Sequence, residues 1–150
     1  MSERSRLSDA HTEQPSLQGR KAVITGGTTG IGRAIAILLA SEGVRVFVCG
    51  RTPEHLEDAL RRIREVGEGD GISVDLSLRD DVDRFFKAAD AYLGSLDLAV
   101  INAAIPAEAL ADTQEDDLYY QTATDLTAYL ACTRQAVRRM EAGACPSSGH

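Results

Sequence analysis

The sequence predicts an α/β fold in which a parallel sheet is flanked by helices. Short apolar, β-branched runs alternate along the chain with segments whose apolar residues recur every three or four positions. A glycine-rich turn separates the first such run from the first helical segment. The length of 150 residues suits one domain. Strands and helices that alternate at these lengths form βαβ units with right-handed crossovers.

The first half of the chain supplies two strands and two helices. The strands are predicted at residues 22–25, before Gly26-Gly27, and at residues 44–49, before Gly50. Thr52 followed by Pro53 is typical of the start of the second helix. The apolar positions of the first helix are Ile31, Ala34, Ile35, Leu38 and Leu39, and those of the second are Leu56, Leu60, Ile63 and Val66.

The second half continues the alternation. A third strand is predicted at residues 72–76 and a fourth at residues 96–101. An acidic, loop-like stretch at residues 108–117 precedes a long helix expected at residues 122–140. The helix between the two strands is indicated by Val82, Phe85, Phe86, Ala89, Tyr92 and Leu93, and one face of the long helix carries Leu126, Leu130, Thr133 and Val137.

Composition at the two ends predicts the domain boundaries. Residues 1–18 are polar and predict a flexible tail, and residues 19–142 form the predicted α/β domain. Residues 143–150 contain a proline and two glycines, so they predict a second tail rather than a central strand.

The charge balance narrows the possible partners. Sixteen Lys and Arg against 23 Asp and Glu give a net charge of −7, which repels phosphate backbones and anionic membranes, so neither nucleic acid nor a membrane is expected as a partner. Cys49, Cys132 and Cys145 are widely spaced and indicate neither a disulfide framework nor a metal site. We therefore expect a cytoplasmic protein.

The segment from Thr25 to Gly32, Thr-Gly-Gly-Thr-Thr-Gly-Ile-Gly, lies where the first strand meets the first helix. Glycines there let the backbone approach a pyrophosphate, and the helix presents free N–H groups and the positive end of its dipole. A plain strand-to-helix turn is the alternative at this point. No Gly-Lys-Ser/Thr is present, so a P-loop nucleotidase is not indicated.

This glycine spacing resembles that of the short-chain dehydrogenase/reductase family. Asp75, Asp97, the turn 102–104 and Asp125 follow in the order of further motifs of that family, over roughly residues 19–142. The resemblance implies a Rossmann-type doubly wound sheet, truncated to about four strands in the order 3-2-1-4. The cofactor-binding residues that it implies are Thr25, Gly26, Thr28, Thr29, Gly30, Ile31, Gly32, Asp75, Leu76, Asn102, Ala103 and Ala104.

The end of the second strand indicates which cofactor is bound. An acidic side chain there would accept hydrogen bonds from the ribose hydroxyls of NAD and repel a 2′-phosphate. This chain has Gly50 at that position, and the next residue, Arg51, can hold a phosphate. We expect NADP(H) rather than NAD(H), the alternative being a solvated Arg51. Asp75 has an alternative role as a cap of the following turn, and Asp97 is expected to be a structural hydrogen-bonding group.

The resemblance also implies hydride transfer between the cofactor and a carbonyl or alcohol substrate, assisted by a Ser and a Tyr-x-x-x-Lys pair. No tyrosine of this chain has a lysine four positions later, and Asp125 stands at the position of the family's relay Asn. We therefore expect a cofactor-binding half that is inactive as an isolated chain. The alternative is a non-catalytic dinucleotide-binding or oligomerisation remnant of such an enzyme.

The expected strand order leaves surfaces without a neighbour. With the order 3-2-1-4, the fourth strand is an open apolar edge, and the first and last helices would also lose packing partners. We expect low stability as a monomer, and homo-oligomerisation or partner binding through these surfaces.

Overall fold

A computed structural model describes residues 16–102, 112 and 114–144. Strands and helices alternate in this part of the chain as the sequence predicts. In chain order the elements are β1 (Lys21–Thr25), α1 (Gly30–Ser41), β2 (Arg45–Gly50), α2 (Pro53–Val66), β3 (Gly69–Ser73), α3 (Arg79–Leu93), β4 (Leu98–Ile101) and α4 (Glu115–Ala144).

The four strands form one parallel sheet in the order β3-β2-β1-β4, which confirms the predicted order. Residues 21–24 of β1 pair with residues 45–48 of β2, and residues 22–25 pair with residues 98–101 of β4. Because all strands run in the same direction, their carboxyl ends meet at one edge of the sheet, which we call the carboxyl edge. Ligands of doubly wound sheets bind outside this edge.

The sheet separates two apolar clusters. One lies under α3 and α4 and includes the rings of Phe47 and Phe85, whose centroids are 5.6 Å apart. The other lies under α1 and α2 and includes Ile24 and Ile63. The predicted apolar stripe of α3 is confirmed, since its buried residues are Val82, Phe85, Phe86, Ala89 and Leu93.

The buried face of α1 differs from the predicted one. Gly32, Ala36 and Ala40 are buried, whereas Ile31 is 75% exposed and Leu38 is 61% exposed. Small residues at intervals of four let the helix lie close to the sheet, and the larger side chains are then turned outward. The predicted stripe is therefore wrong for the two large residues, as it is for Ala34 in α1 and Val66 in α2, which are also exposed.

β3 covers Gly69–Ser73 instead of the predicted residues 72–76, so it begins and ends three residues earlier and residues 74–76 follow the strand. Its ladder with β2 runs from the pair Val46 and Gly69 to the pair Gly50 and Ser73. A Cβ on Gly69 would lie 2.6 Å from the side chain of Ile63 in α2. Glycine is thus required here by close packing, although glycine in a strand usually indicates a bend or a turn.

α4 is longer than predicted, because residues 115–117 belong to the helix and not to a loop. These three residues are acidic, and negative charge is stabilising at the positive end of a helix dipole. The fully buried side chains of α4 are Cys132 and Ala136, both in its second half. Of the face predicted from sequence, Leu126, Leu130 and Val137 are exposed.

β4 is an edge strand of the sheet and pairs with β1 on one side. All four of its residues, Leu98 to Ile101, are apolar and only half-buried. The open apolar edge predicted from the sequence is thus present in the described residues. In the same residues, none of the helices combines the length and apolarity needed to cross a bilayer. The division into two tails and a domain stays a prediction.

Candidate functional site

The turn from β1 into the first residues of α1 contains four glycines, Gly26, Gly27, Gly30 and Gly32, which differ in what surrounds them. A Cβ on Gly26 would lie 2.6 Å from the carbonyl oxygen of Asn102, and one on Gly32 would lie 2.1 Å from the carbonyl oxygen of Gly26. A Cβ on Gly30 would meet no atom of the described residues within 4 Å, and this residue has a φ of +54°. Gly26 and Gly32 thus allow the turn to pack against the protein, whereas Gly30 faces open space.

Asn102, at the end of β4, holds this turn in place. Its backbone N–H donates to Oγ1 of Thr25 at 2.9 Å, and its side-chain Nδ2 donates to the carbonyl oxygen of Gly26 at 3.4 Å. Thr25 is 2% exposed, so the bond between the ends of β1 and β4 lies inside the protein. The resemblance-based assignment of Thr25, Gly26 and Asn102 to one site therefore agrees with their proximity.

The first turn of α1 leaves its amide hydrogens unused by the helix. The hydrogen-bond ladder begins with the N–H of Arg33, which donates to the carbonyl oxygen of Thr29. Thr29 is the N-cap residue, and its side chain forms no capping hydrogen bond. The N–H groups of Gly30, Ile31 and Gly32 precede the ladder, and such groups at a helix start are suited to bind an anion.

The other half of the turn packs on the end of β2. The N–H of Gly27 donates to the carbonyl oxygen of Cys49 at 3.0 Å. Thr28 is buried, and its side chain lies against the backbone of Gly50. The glycine turn and the end of β2 therefore form one continuous surface at the carboxyl edge.

Arg51 and Asp75 follow the adjacent strands β2 and β3 at this edge. Arg51 is exposed, and the hydroxyl of Ser73 donates to its carbonyl oxygen at 3.0 Å. The carboxylate of Asp75 accepts hydrogen bonds from the hydroxyl and the backbone N–H of Ser77 at 2.7 and 3.0 Å. The hydrogen bond from the Ser77 hydroxyl is the main cause that lowers the pKa of Asp75. The bond from the Ser77 N–H and the charge of Arg51 lower it further.

The hydrogen bonds of Asp75 match the alternative role of a cap for the following turn. Asp81 supports the same turn, since its carboxylate accepts the backbone N–H of Asp75 at 2.8 Å. Sequence reasoning did not single out Asp81, although an acidic residue in the first turn of α3 is a usual signal of a helix start. Leu76, beside Asp75, is half-buried against the apolar cluster under α3.

Two charged residues near these motifs have structural partners. Arg33 donates to the carboxylate of Asp58 in α2 at 3.1 Å. Asp97 lies at the opposite edge of the sheet, just before β4, where it accepts the backbone N–H of Lys21 at 2.9 Å. Its predicted structural hydrogen bonding is confirmed, but its predicted position inside a strand is wrong, because β4 begins at Leu98.

The remaining predicted site residues belong to the segment after β4 and to α4. Ala103 and Ala104 lie outside the described residues. Asp125 is half-buried in the first half of α4.

The comparison with protein families decides the assignment of the chain. The family model described as short chain dehydrogenase matches residues 20–147. The chain belongs to this family. The fold and the glycine turn of this short-chain dehydrogenase therefore agree with the resemblance in its sequence.

Relatives and solved structures add detail. The chain is 33% identical over 130 residues to a 3beta-hydroxysteroid dehydrogenase of Mediterraneibacter gnavus, covering 85% of the chain and 46% of the relative. It is 30% identical to the RhlG/NADP active-site complex of Pseudomonas aeruginosa, with a TM-score of 0.73 over 87% of the chain and 50% of that structure. An NAD+-bound xylitol dehydrogenase shares the fold, with a TM-score of 0.76 at 23% identity over 86% of the chain and 51% of that structure. The chain thus spans about half the length of the proteins it matches.

Proposed function

We propose that this chain is the NADP(H)-binding part of a short-chain oxidoreductase. The observation that carries the proposal is the glycine turn. Gly26, Gly27 and Gly32 pack against the protein, whereas a Cβ on Gly30 would meet no atom of the described residues within 4 Å, beside N–H groups that precede the helix ladder. A pyrophosphate fits there, because it needs close backbone approach and N–H donors.

The other residues of the carboxyl edge fit the remaining parts of a dinucleotide. Arg51 would hold the 2′-phosphate, and the neighbouring Asp75 and Leu76 would lie near the adenine, as the family resemblance implies. The turn that begins at Asn102 would complete the site, together with Thr28 and Thr29 of the glycine turn. Asp75 uses Oδ1 for Ser77, and no donor among the described residues bonds its Oδ2, which would make such a contact.

The preference for NADP(H) over NAD(H) is argued from charge. Arg51 is an exposed cation at the end of β2, and the preceding Gly50 carries no carboxylate that would repel a phosphate. The solved relatives include a complex with NADP and one with NAD+, so the preference of this chain has to be argued from its own residues. Arg33 is a poorer candidate for the same task because its guanidinium is held by the carboxylate of Asp58 in α2.

The bound cofactor would supply or accept a hydride, and the substrate would be a carbonyl compound or an alcohol. A general acid or base typically contributes about 10²–10⁴-fold to such a reaction, and the 150 residues contain no Tyr-x-x-x-Lys pair. The second candidate is a dinucleotide-binding module that does not catalyse. Asp125, at the position of the relay Asn, is the one residue assigned near the chemistry.

The test is a titration of the chain with NADPH and NADH, followed by the fluorescence of the reduced nicotinamide. Saturable binding with tighter NADPH is expected, and absence of binding by the folded chain would refute the proposal. Addition of a panel of aldehydes and ketones then separates the two candidates. Saturable loss of NADPH absorbance would show an enzyme, and binding without turnover would show a module.

We also propose that the chain associates with itself through the open side of the sheet. The half-buried strand β4 and the exposed side chains of Leu126 and Leu130 in α4 leave large apolar groups in water. Apolar surface of this kind favours association, and an unpaired strand edge favours strand pairing.

A further inference from the structure

Gly50 ends β2 in a backbone conformation that every residue type can adopt. The positive φ angles of the described residues belong to Gly19, Gly26, Gly30, Gly43 and Gly94, and Gly50 is not among them. Conformational freedom therefore does not explain a glycine at this position. The contact with Thr28 explains it, because a Cβ on Gly50 would lie 2.1 Å from Oγ1, 2.7 Å from Cγ2 and 2.9 Å from Cβ of Thr28.

Thr28 has little room to withdraw from Gly50. Its side chain is 4% exposed, and rotation about χ1 leaves its Cβ in place. The backbone beside it is held by the hydrogen bond from Gly27 to the carbonyl oxygen of Cys49. A Cβ on Gly27 would itself lie 2.9 Å from the side chain of Val48, so the turn already touches β2 closely.

We propose that Thr28 determines cofactor specificity by filling the space that a side chain at position 50 would occupy. An acidic residue at the end of this strand recognises the ribose hydroxyls of NAD. With Thr28 in place, position 50 is restricted to glycine and cannot carry that carboxylate. Arg51 is then the residue left to recognise the adenosine ribose, and it favours the 2′-phosphate. This inference rests on the proposed binding of NADP(H). It names Thr28 as the residue that excludes the carboxylate by which NAD would be recognised.

The steric part is tested by a thermal melting cycle of four proteins: wild type, Gly50→Ala, Thr28→Gly and the double variant. We expect Gly50→Ala to lower the melting temperature, and the double variant to lose less than the sum of the two single losses. Gly143→Ala is the control without a clash, because a Cβ there meets no atom of the described residues within 4 Å and alanine is favoured over glycine in a helix. Strictly additive losses, or a Gly50→Ala variant as stable as the control, would overturn the proposal.

The specificity part uses Gly50→Asp with and without Thr28→Gly, titrated with NADPH and NADH. The double variant should bind NADPH on the order of tenfold more weakly and NADH more tightly than wild type, whereas Gly50→Asp alone should bind both poorly. A Gly50→Asp variant that melts like wild type and gains NADH affinity with Thr28 intact would overturn the role of Thr28. If wild type binds neither dinucleotide, the proposed function itself is wrong, which distinguishes the two failures.

Discussion

The backbone N–H of Asn102 and the hydroxyl oxygen of Thr25 form a 2.9 Å hydrogen bond that joins the ends of β4 and β1. The two residues are 77 positions apart in the chain, so this bond exists only when the sheet is assembled. It fixes the glycine turn at the point where the turn leaves β1. The shape of the candidate site therefore depends on a contact that has no local sequence signal.

Replacement of Thr25 by Val, which keeps the shape but removes the oxygen, should leave the N–H of Asn102 without a partner. We expect a loss of about 1–3 kcal/mol in the free energy of unfolding, together with weaker NADPH binding. Denaturant unfolding measures the first and nicotinamide fluorescence the second. Thr52→Val is the control, because the hydroxyl of Thr52 makes no capping bond. Equal effects of the two substitutions would contradict the role of Thr25.

The glycines of the turn should respond differently to a methyl group. Gly32→Ala places a Cβ 2.1 Å from a backbone oxygen, and we expect a loss of stability of about 3 kcal/mol or more. Gly30→Ala meets open space but has to adopt a positive φ, which costs about 1 kcal/mol. Its main effect should be on NADPH affinity. Unchanged affinity in a folded Gly30→Ala variant would remove the pyrophosphate from this position.

Arg51→Ala should weaken NADPH binding selectively. A hydrogen bond to a charged group contributes about 1.5–3 kcal/mol, so the dissociation constant of NADPH should rise roughly 10- to 100-fold, while that of NADH stays the same. Arg61→Ala, an exposed arginine of α2 that pairs with Asp58, is the control. Parallel losses for both dinucleotides would show that Arg51 does not hold the 2′-phosphate.

The two described cysteines should make the fold sensitive to alkali. Burial raises the pKa of Cys49 from 9.0 to about 12 and that of Cys132 to about 11. Above pH 9 the unfolded chain loses the thiol proton, whereas the folded chain keeps it. The free energy of unfolding therefore decreases above that pH, by up to about 1.4 kcal/mol per pH unit for each thiol. Cys49→Ala should make the decline between pH 9 and 11 less steep, as measured by denaturant unfolding. An identical slope would contradict this.

Self-association should depend on the apolar groups of α4 and β4. We expect sedimentation velocity to show species larger than the monomer as concentration rises. The double substitution Leu126→Glu and Leu130→Glu should shift the chain toward the monomer, because it places charge on the exposed face. A Glu57→Gln variant, which alters an exposed residue of α2, is the control. A wild-type chain that stays monomeric and melts sharply at high temperature would contradict the proposed association.

The sequence predicts most of the fold because the signals for it are local. The period of α3 places Phe85 and Phe86 correctly, and Thr52-Pro53 marks the true start of α2. The errors in β3 and α1 share one physical cause. Gly69 in β3 and Gly32, Ala36 and Ala40 in α1 are small because another element lies close to them, and closeness between distant segments leaves no period in the sequence.

The sequence likewise predicts only part of the candidate site. The glycine spacing predicts the turn, and the order of the motifs predicts that Asn102 belongs to it. The contact of Thr28 with Gly50, and the capping of the turn after β3 by Asp75 and Asp81, depend on how two strands end beside each other. Spacing alone does not specify such lateral contacts.

The anchoring of α4 is uneven along its length. Thirty residues of helix extend about 45 Å, whereas a strand of five residues extends about 17 Å. The guanidinium of Arg139 donates hydrogen bonds of 2.7 and 2.9 Å to the carboxylate of Asp90 and so holds the carboxyl-terminal half of α4 against α3. The buried side chains of α4, Cys132 and Ala136, lie in the same half of the helix, whereas Leu126 and Leu130, close to Asp125, are exposed. A second chain that covered these two leucines would therefore also fix the position of Asp125.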